Sequence, residues 1–185
     1  YRRPVSMPDA PGRRSASVPD LDLTPLPWRL SFVESAPAEN RTFQLDGLRP
    51  WTSLGDSILS ELAGTGVYET EFTLTPAEAE AFNAIELGDV RESARVYING
   101  QSAGTAWSVP FTLGCGSLLR PGKNTLRIEV TNLPANRIAA LDRAGVPWRK
   151  FNEINIVDIN YRKTGYGDWA TVPSGLGSTV RLVAR

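Results

Sequence analysis

The sequence predicts an all-β fold, an antiparallel two-layer β-sandwich carrying one short helix. Three observations carry this. Apolar and polar residues alternate with a period of two in many short runs, as half-buried strands require. Glycine, proline and asparagine punctuate the gaps between the runs. A single stretch carries helix-starting chemistry.

Taken in order, Trp28, Leu30 and Phe32 share a face, with Arg29 and Ser31 on the other. Gly64-Thr65-Gly66 reads as a flexible turn, since it lacks the third glycine of a dinucleotide fingerprint. Tyr68, Phe72 and Leu74 lie opposite Glu69, Glu71 and Thr73. Thr75 can cap a helix, Pro76 suits its first position and Glu78 completes a capping box, giving about two turns that end near Phe82. Leu87-Gly88-Asp89 marks a turn. Ala94, Val96 and Ile98 then alternate with Arg95 and Tyr97, and Asn99-Gly100 follows at once, where tolerance of positive φ suits a tight hairpin. Pro121-Gly122 turns the chain into a run where Leu126, Ile128 and Val130 oppose Arg127, Glu129 and Thr131. Val180 and Leu182 close the pattern. The expected core is Tyr68, Phe72, Val96, Ile98, Leu126, Ile128, Val130 and Leu182, with Trp28 beside them.

Two segments break the alternation. Residues 1–23 combine Pro4, Pro8, Pro11 and Pro19 with Arg2, Arg3, Arg13 and Arg14 and hold few apolar side chains, so they read as a linker or extended arm. The sandwich is expected over 24–185. Residues 134–177 form an excursion too long for a bare connector, and such loops are disproportionately functional. It holds Trp148, Arg149, Tyr161, Tyr166 and Trp169, and an isoleucine-rich piece around Asn152–Tyr161 is expected to add a strand.

Composition narrows the chemistry. The 185 residues carry 20 basic and 20 acidic side chains, which argues against coating a nucleic-acid duplex. There is no histidine, which removes the usual general base and imidazole metal ligands. The lone Cys115, between two glycines, has no base beside it and reads as structural. No apolar run approaches the ~18 residues that would cross a membrane. The chain opens with Tyr1 and shows no signal peptide, so it is expected to be a piece of a larger polypeptide. Asn40-Arg41-Thr42 is a formal glycosylation sequon of the kind that chance supplies. Gly122-Lys123 lacks the glycine and the hydroxyl residue that a phosphate loop needs, since Ser117 and Asn124 stand there.

Paired acids are the remaining enzymatic option, because glycoside hydrolysis needs only two carboxyl groups. Glu69 and Glu71 are expected to face solvent, and Glu153, Asp158 and Asp168 lie in the excursion. Exposed aromatic residues are the better lead. Sugar rings present apolar C–H faces that indole and phenol rings stack against, while neighbouring polar groups take the hydroxyls.

The run Val96-Tyr97-Ile98-Asn99-Gly100-Gln101, then Gly104, Trp107 and Pro110-Phe111, continues into Leu119-Arg120-Pro121-Gly122-Lys123-Asn124-Thr125-Leu126 and Ile128-Glu129-Val130-Thr131-Asn132. It resembles the galactose-binding-like, sugar-binding jelly roll of glycoside hydrolase family 2. Gly66-Val67-Tyr68-Glu69-Thr70-Glu71-Phe72, Leu87-Gly88-Asp89-Val90 and Asn132-Leu133-Pro134-Ala135-Asn136-Arg137 look closer to the C-terminal domain of family-106 α-L-rhamnosidases. The chain departs from that pattern at Pro134 and over Gly175–Val180. The resemblance, over residues 26–185, implies a carbohydrate-binding or accessory domain whose catalytic carboxylates lie in a separate domain; a purely structural domain that buttresses the catalytic one is the alternative. It also implies a secreted or periplasmic bacterial setting, with a glycan such as a plant polysaccharide and the parent enzyme's catalytic domain as partners. No nucleic acid or membrane partner is expected. The expected carbohydrate contacts are Trp148, Tyr166 and Trp169 as stacking surfaces with Asn136, Arg137 and Arg149 as hydrogen-bonding groups. No catalytic residue and no cofactor is expected; structural calcium at turn acids such as Asp89 and Asp168 is the alternative.

Overall fold

In a computed structural model of the chain, residues 18–149 and 165–185 are described. The strands are β1 (Leu21–Asp22), β2 (Trp28–Ala36), β3 (Phe43–Leu45) and β4 (Ala63–Leu74), then β5 (Ala84–Glu86), β6 (Val90–Arg91), β7 (Ser93–Ile98) and β8 (Gln101–Ala106). They are followed by β9 (Thr112–Gly114), β10 (Gly122–Thr131), β11 (Gly175–Leu176) and β12 (Arg181–Val183). A six-stranded sheet, ordered β3-β2-β4-β10-β7-β8, faces a four-stranded sheet, ordered β1-β12-β5-β9, and β11 pairs with β6 beside them. All pairings are antiparallel. This is the expected β-sandwich.

Its core is built by the alternation that predicted it. Tyr68, Phe72, Val96, Ile98, Leu126, Ile128, Val130 and Leu182 are all buried in one cluster; such side chains contribute about 1.5–3 kcal/mol each. Trp28 is buried too, edge-on to Tyr68, with its indole N–H donating to the Leu23 carbonyl at 3.2 Å. Trp51, on a short 3-10 turn, is equally buried, edge-on to Phe32 and stacked on Tyr68. Its packing corrects the reading of Gly64-Thr65-Gly66 as a turn. These residues lie inside β4, and a Cβ on Gly66 would come within 2.5 Å of the Trp51 ring. Glycine is there so that the indole can lie on the strand.

The Asn99-Gly100 hairpin is a two-residue turn with φ of 52° and 78°, the type I′ geometry. Buried Asn124 ties it to the Pro121-Gly122 turn. Its Oδ1 accepts from Asn99 Nδ2 at 2.8 Å and its Nδ2 donates to the Arg120 carbonyl at 2.7 Å.

Three α-helices are present among the described residues: α1 (Ser57–Ser60), α2 (Pro76–Ala81) and α3 (Ala135–Arg143). Helix α2 is the expected one, with both capping-box bonds made between Thr75 and Glu78. The other two were not expected from the sequence. The boundary at residue 24 also shifts. Leu21 and Asp22 pair with Leu182 and Arg181, and Leu23 is buried, so apolar residues 21 and 23 already belong to the sandwich. Residues 1–17, and the isoleucine-rich piece with Glu153, Asp158 and Tyr161, lie outside the described residues.

Strand register gives the sandwich two chemically distinct ends. At one, Thr131 of β10 sits opposite both Thr65 and Ser93, Thr65 opposite Val33, and Ala94 opposite Ala106. The excursion and α1 join the sheet here, so it is the loop end. The Asn99-Gly100 and Pro121-Gly122 turns and α2 form the opposite, hairpin end.

Candidate functional site

Two asparagines fasten the excursion to the loop end. Asn132 Oδ1 accepts from Gly64 N, while its Nδ2 donates to the Leu62 carbonyl and to Ser174 Oγ, each at 2.9 Å. Asn136, in the first turn of α3, donates to the Val172 carbonyl and accepts from Val172 N, both at 2.8 Å. It is buried, and its amide is engaged by this backbone. Arg143, at the end of α3, reaches the Gly167 carbonyl and Glu61 of the segment after α1, each at 3.1 Å.

Asp142 then organises the aromatic residues. Its Oδ2 accepts from the backbone N–H groups of Tyr166 and Gly167 at 2.7 and 3.0 Å, and its Oδ1 from the Trp148 indole at 3.3 Å. The Tyr166 N–H, then the indole, hold this carboxyl below the usual aspartate range. Around it Trp148 and Tyr166 meet edge-to-face at 5.5 Å, and Tyr166 meets Trp169 likewise at 4.7 Å. The Arg149 guanidinium lies 5.1 Å from the Trp148 ring and 4.8 Å from that of Tyr166. Trp169 remains 47% exposed. Four of the expected contact residues, Trp148, Arg149, Tyr166 and Trp169, are therefore brought together. Arg137, half-buried on α3, has no hydrogen bond or ion pair among the described residues, and Asn136 lies beneath, holding the backbone. Asp142 itself was missed. Its only sequence signal is an acid six residues before Trp148 at the close of an alanine-rich helix.

The same end exposes large apolar side chains. Trp107 follows β8 directly and is 75% exposed; Val109, on the loop into β9, is 82% exposed. Leu133 lies just past Asn132, and Val33 sits at the end of β2 opposite Thr65. Ile58 is on α1, Val146 lies beyond α3, and Val172 is on the return beside Trp169. Trp51, by contrast, is core and offers no surface.

The acids on the outer face of the large sheet are paired. Glu69 is paired with Arg29 and Arg127, Glu71 with Lys123 and Glu129 with Arg127, all on the outer face of the six-stranded sheet. All of these but Lys123 line an open concavity of about 930 Å³ that also includes Tyr97. Asp89 pairs with Arg91 at 2.9 Å. Among the described residues no three acid or cysteine side chains converge as metal ligands would. Burial pushes the Cys115 thiol up to about 11, against nucleophilic use at neutral pH. No described helix is long and apolar enough to cross a membrane.

No family model matches the chain. Over 124 residues, 66% of the chain, it is 30% identical to the "Putative beta-glucuronidase" of Formosa agariphila. Among solved structures, a rhamnosidase from Novosphingobium sp. PP1Y superposes on the whole chain with a TM-score of 0.67 and 26% identity. The chain is a glycoside-hydrolase-related domain. A β-D-glucuronidase from Dictyoglomus thermophilum covers 94% of it with a TM-score of 0.62 at 16% identity, a likeness of fold alone. The chain spans 11% of the Formosa protein, 16% of the rhamnosidase chain and 29% of the glucuronidase chain.

Proposed function

We propose that this domain is a non-catalytic, carbohydrate-associated part of a larger glycoside hydrolase, and that it contacts glycan through Trp148, Tyr166 and Trp169. The observation that carries the reading is the edge-to-face ring assembly, fixed by Asp142 and half-open at Trp169. Rings locked in place lose little freedom on stacking against a sugar face, and the Arg149 and Arg137 guanidinium groups supply donors for hydroxyls. Asn136 supports the site from below. The jelly-roll, galactose-binding-like type, the likeness to rhamnosidases and a secreted or periplasmic setting in bacteria follow from the motif resemblance. Plant polysaccharide is the glycan class it suggests.

Catalysis belongs to another part of the polypeptide on this reading. A chain without histidine, whose Glu69, Glu71 and Glu129 are matched with arginine or lysine, has little to offer a proton-transfer step. No metal is assigned a role.

The test is a glycan-array screen of this chain, followed by Trp169→Ala. Truncating a central aromatic should cost about 2 kcal/mol, roughly thirtyfold in affinity. The melting temperature should barely move, because Trp169 is half-exposed. Unchanged binding would place the site elsewhere, and an unfolded variant would make Trp169 a structural residue.

A further inference from the structure

Exposed apolar side chains on a folded domain are ordinarily scattered, whereas a contiguous set marks a contact surface. Here all eight large apolar side chains exposed among the described residues belong to the loop end, and the hairpin end has none; Trp169 is part of the ring assembly assigned to glycan, which leaves seven. We infer that the loop end is an interdomain face, docked against an apolar surface of another domain in the same longer polypeptide, with Leu133 beyond the inner strand β10 and Trp107 and Val109 beyond the edge strand β8 as its contacts.

Side-chain chemistry separates this partner from a glycan. Val33, Ile58, Val109 and Leu133 offer neither a ring plane for stacking nor a group for a hydroxyl, so they suit a protein surface. Two ion pairs of that end are closed locally, Arg41 with Asp56 at 2.8 Å and Arg143 with Glu61 at 3.1 Å. Trp107 sits on a loop held at both ends, since β8 pairs with β7 and the Phe111 carbonyl accepts from Leu87 N at 2.9 Å. A pre-positioned exposed tryptophan is the kind of residue that dominates interfaces. The occupant follows from length: in the relatives, the matching segment is 11%, 16% and 29% of a longer chain. The inference rests on the reading of this chain as one domain of such an enzyme, but not on glycan binding.

Hydroxyl-radical footprinting tests it by comparing the 185-residue chain with the complete polypeptide that carries it. Trp107 should be oxidised about tenfold more slowly in the complete polypeptide, with Leu133 protected in parallel. Trp107→Glu should restore oxidation of Leu133 there. In the 185-residue chain the same variant should leave melting temperature and array binding unchanged, which separates this outcome from failure of the glycan reading. Equal oxidation of Trp107 in both forms overturns the inference. So does sedimentation of the 185-residue chain as a dimer in which Trp107 is protected, since the occupant is then a second copy.

Discussion

Two glycines separate backbone strain from crowding. Gly100 has φ of 78° and no atom within 4 Å of a notional Cβ, so Gly100→Ala meets only the cost of the left-handed region, about 1 kcal/mol. Gly175 has φ of 106°, and a Cβ there would lie 2.2 Å from Tyr68 Oη and 2.8 Å from Trp51 Cε3. Both of those rings are buried and packed on each other, so neither can step aside. Gly175→Ala should therefore cost about 3 kcal/mol, since overpacking adds to strain. Paired urea titrations read both. Similar losses at the two positions would show that the Trp51 pocket yields. Only the first of these sites is legible in sequence. Asn99-Gly100 announces its turn locally, whereas the need at Gly175 arises from Trp51, far away in the chain and itself unmarked by any alternation.

Helix α3 shows why the excursion resisted sequence reading. A helix normally declares itself through a stripe of large apolar residues, but the face α3 buries is Asn136, Ala139 and Ala140. Polar bonds replace the stripe: Asn136 to Val172, Arg143 to Gly167 and Asp142 to Tyr166 and Gly167. The aromatic residues were visible as types in a polar loop, yet the carboxylate that gathers them was not. That carboxylate makes the site acid-sensitive. Asp142 has a folded pKa below its unfolded value of about 3.9, so its contribution is complete above that pH and lost as pH falls through the folded value. Near-UV circular dichroism, which reports coupled rings, should therefore fade as pH falls below about 4, in advance of far-UV loss. In Asp142→Asn the near-UV signal should already be reduced at neutral pH, because an amide has one accepting oxygen and its NH2 would face an N–H donor at the other position. Its remaining acid dependence should be shallower. An identical acid profile in the variant would assign the transition to the other depressed carboxyls, those of Glu39 and Asp56, whose charges Arg41 holds, and that of Glu78, held by Thr75.

At the scale of the molecule, the sandwich and its excursion are stabilised by different physics. Strands β4 and β10 pair over ten consecutive positions, each has a neighbour on its other side, and their inward residues sit in the apolar core. Every amide in that ladder is released only when the core opens, so exchange there should report global unfolding. The period-two pattern made this part readable, because strand register and burial both derive from it. Helix α3 is held chiefly by polar side chains at the loop end, the buried Asn136 amide and the exposed Arg143 guanidinium, and water competes for the latter's bonds. Its amides have an opening route that leaves the core intact. Native-state hydrogen exchange should then give the highest free energies in β4 and β10 and values lower by about 2 kcal/mol or more in α3. In the complete polypeptide the gap should narrow, because a domain seated on the loop end covers the bonds that let α3 open. A gap that persists unchanged in that longer chain would mean that α3 faces solvent there too, and that the loop end is covered only on its Trp107 side.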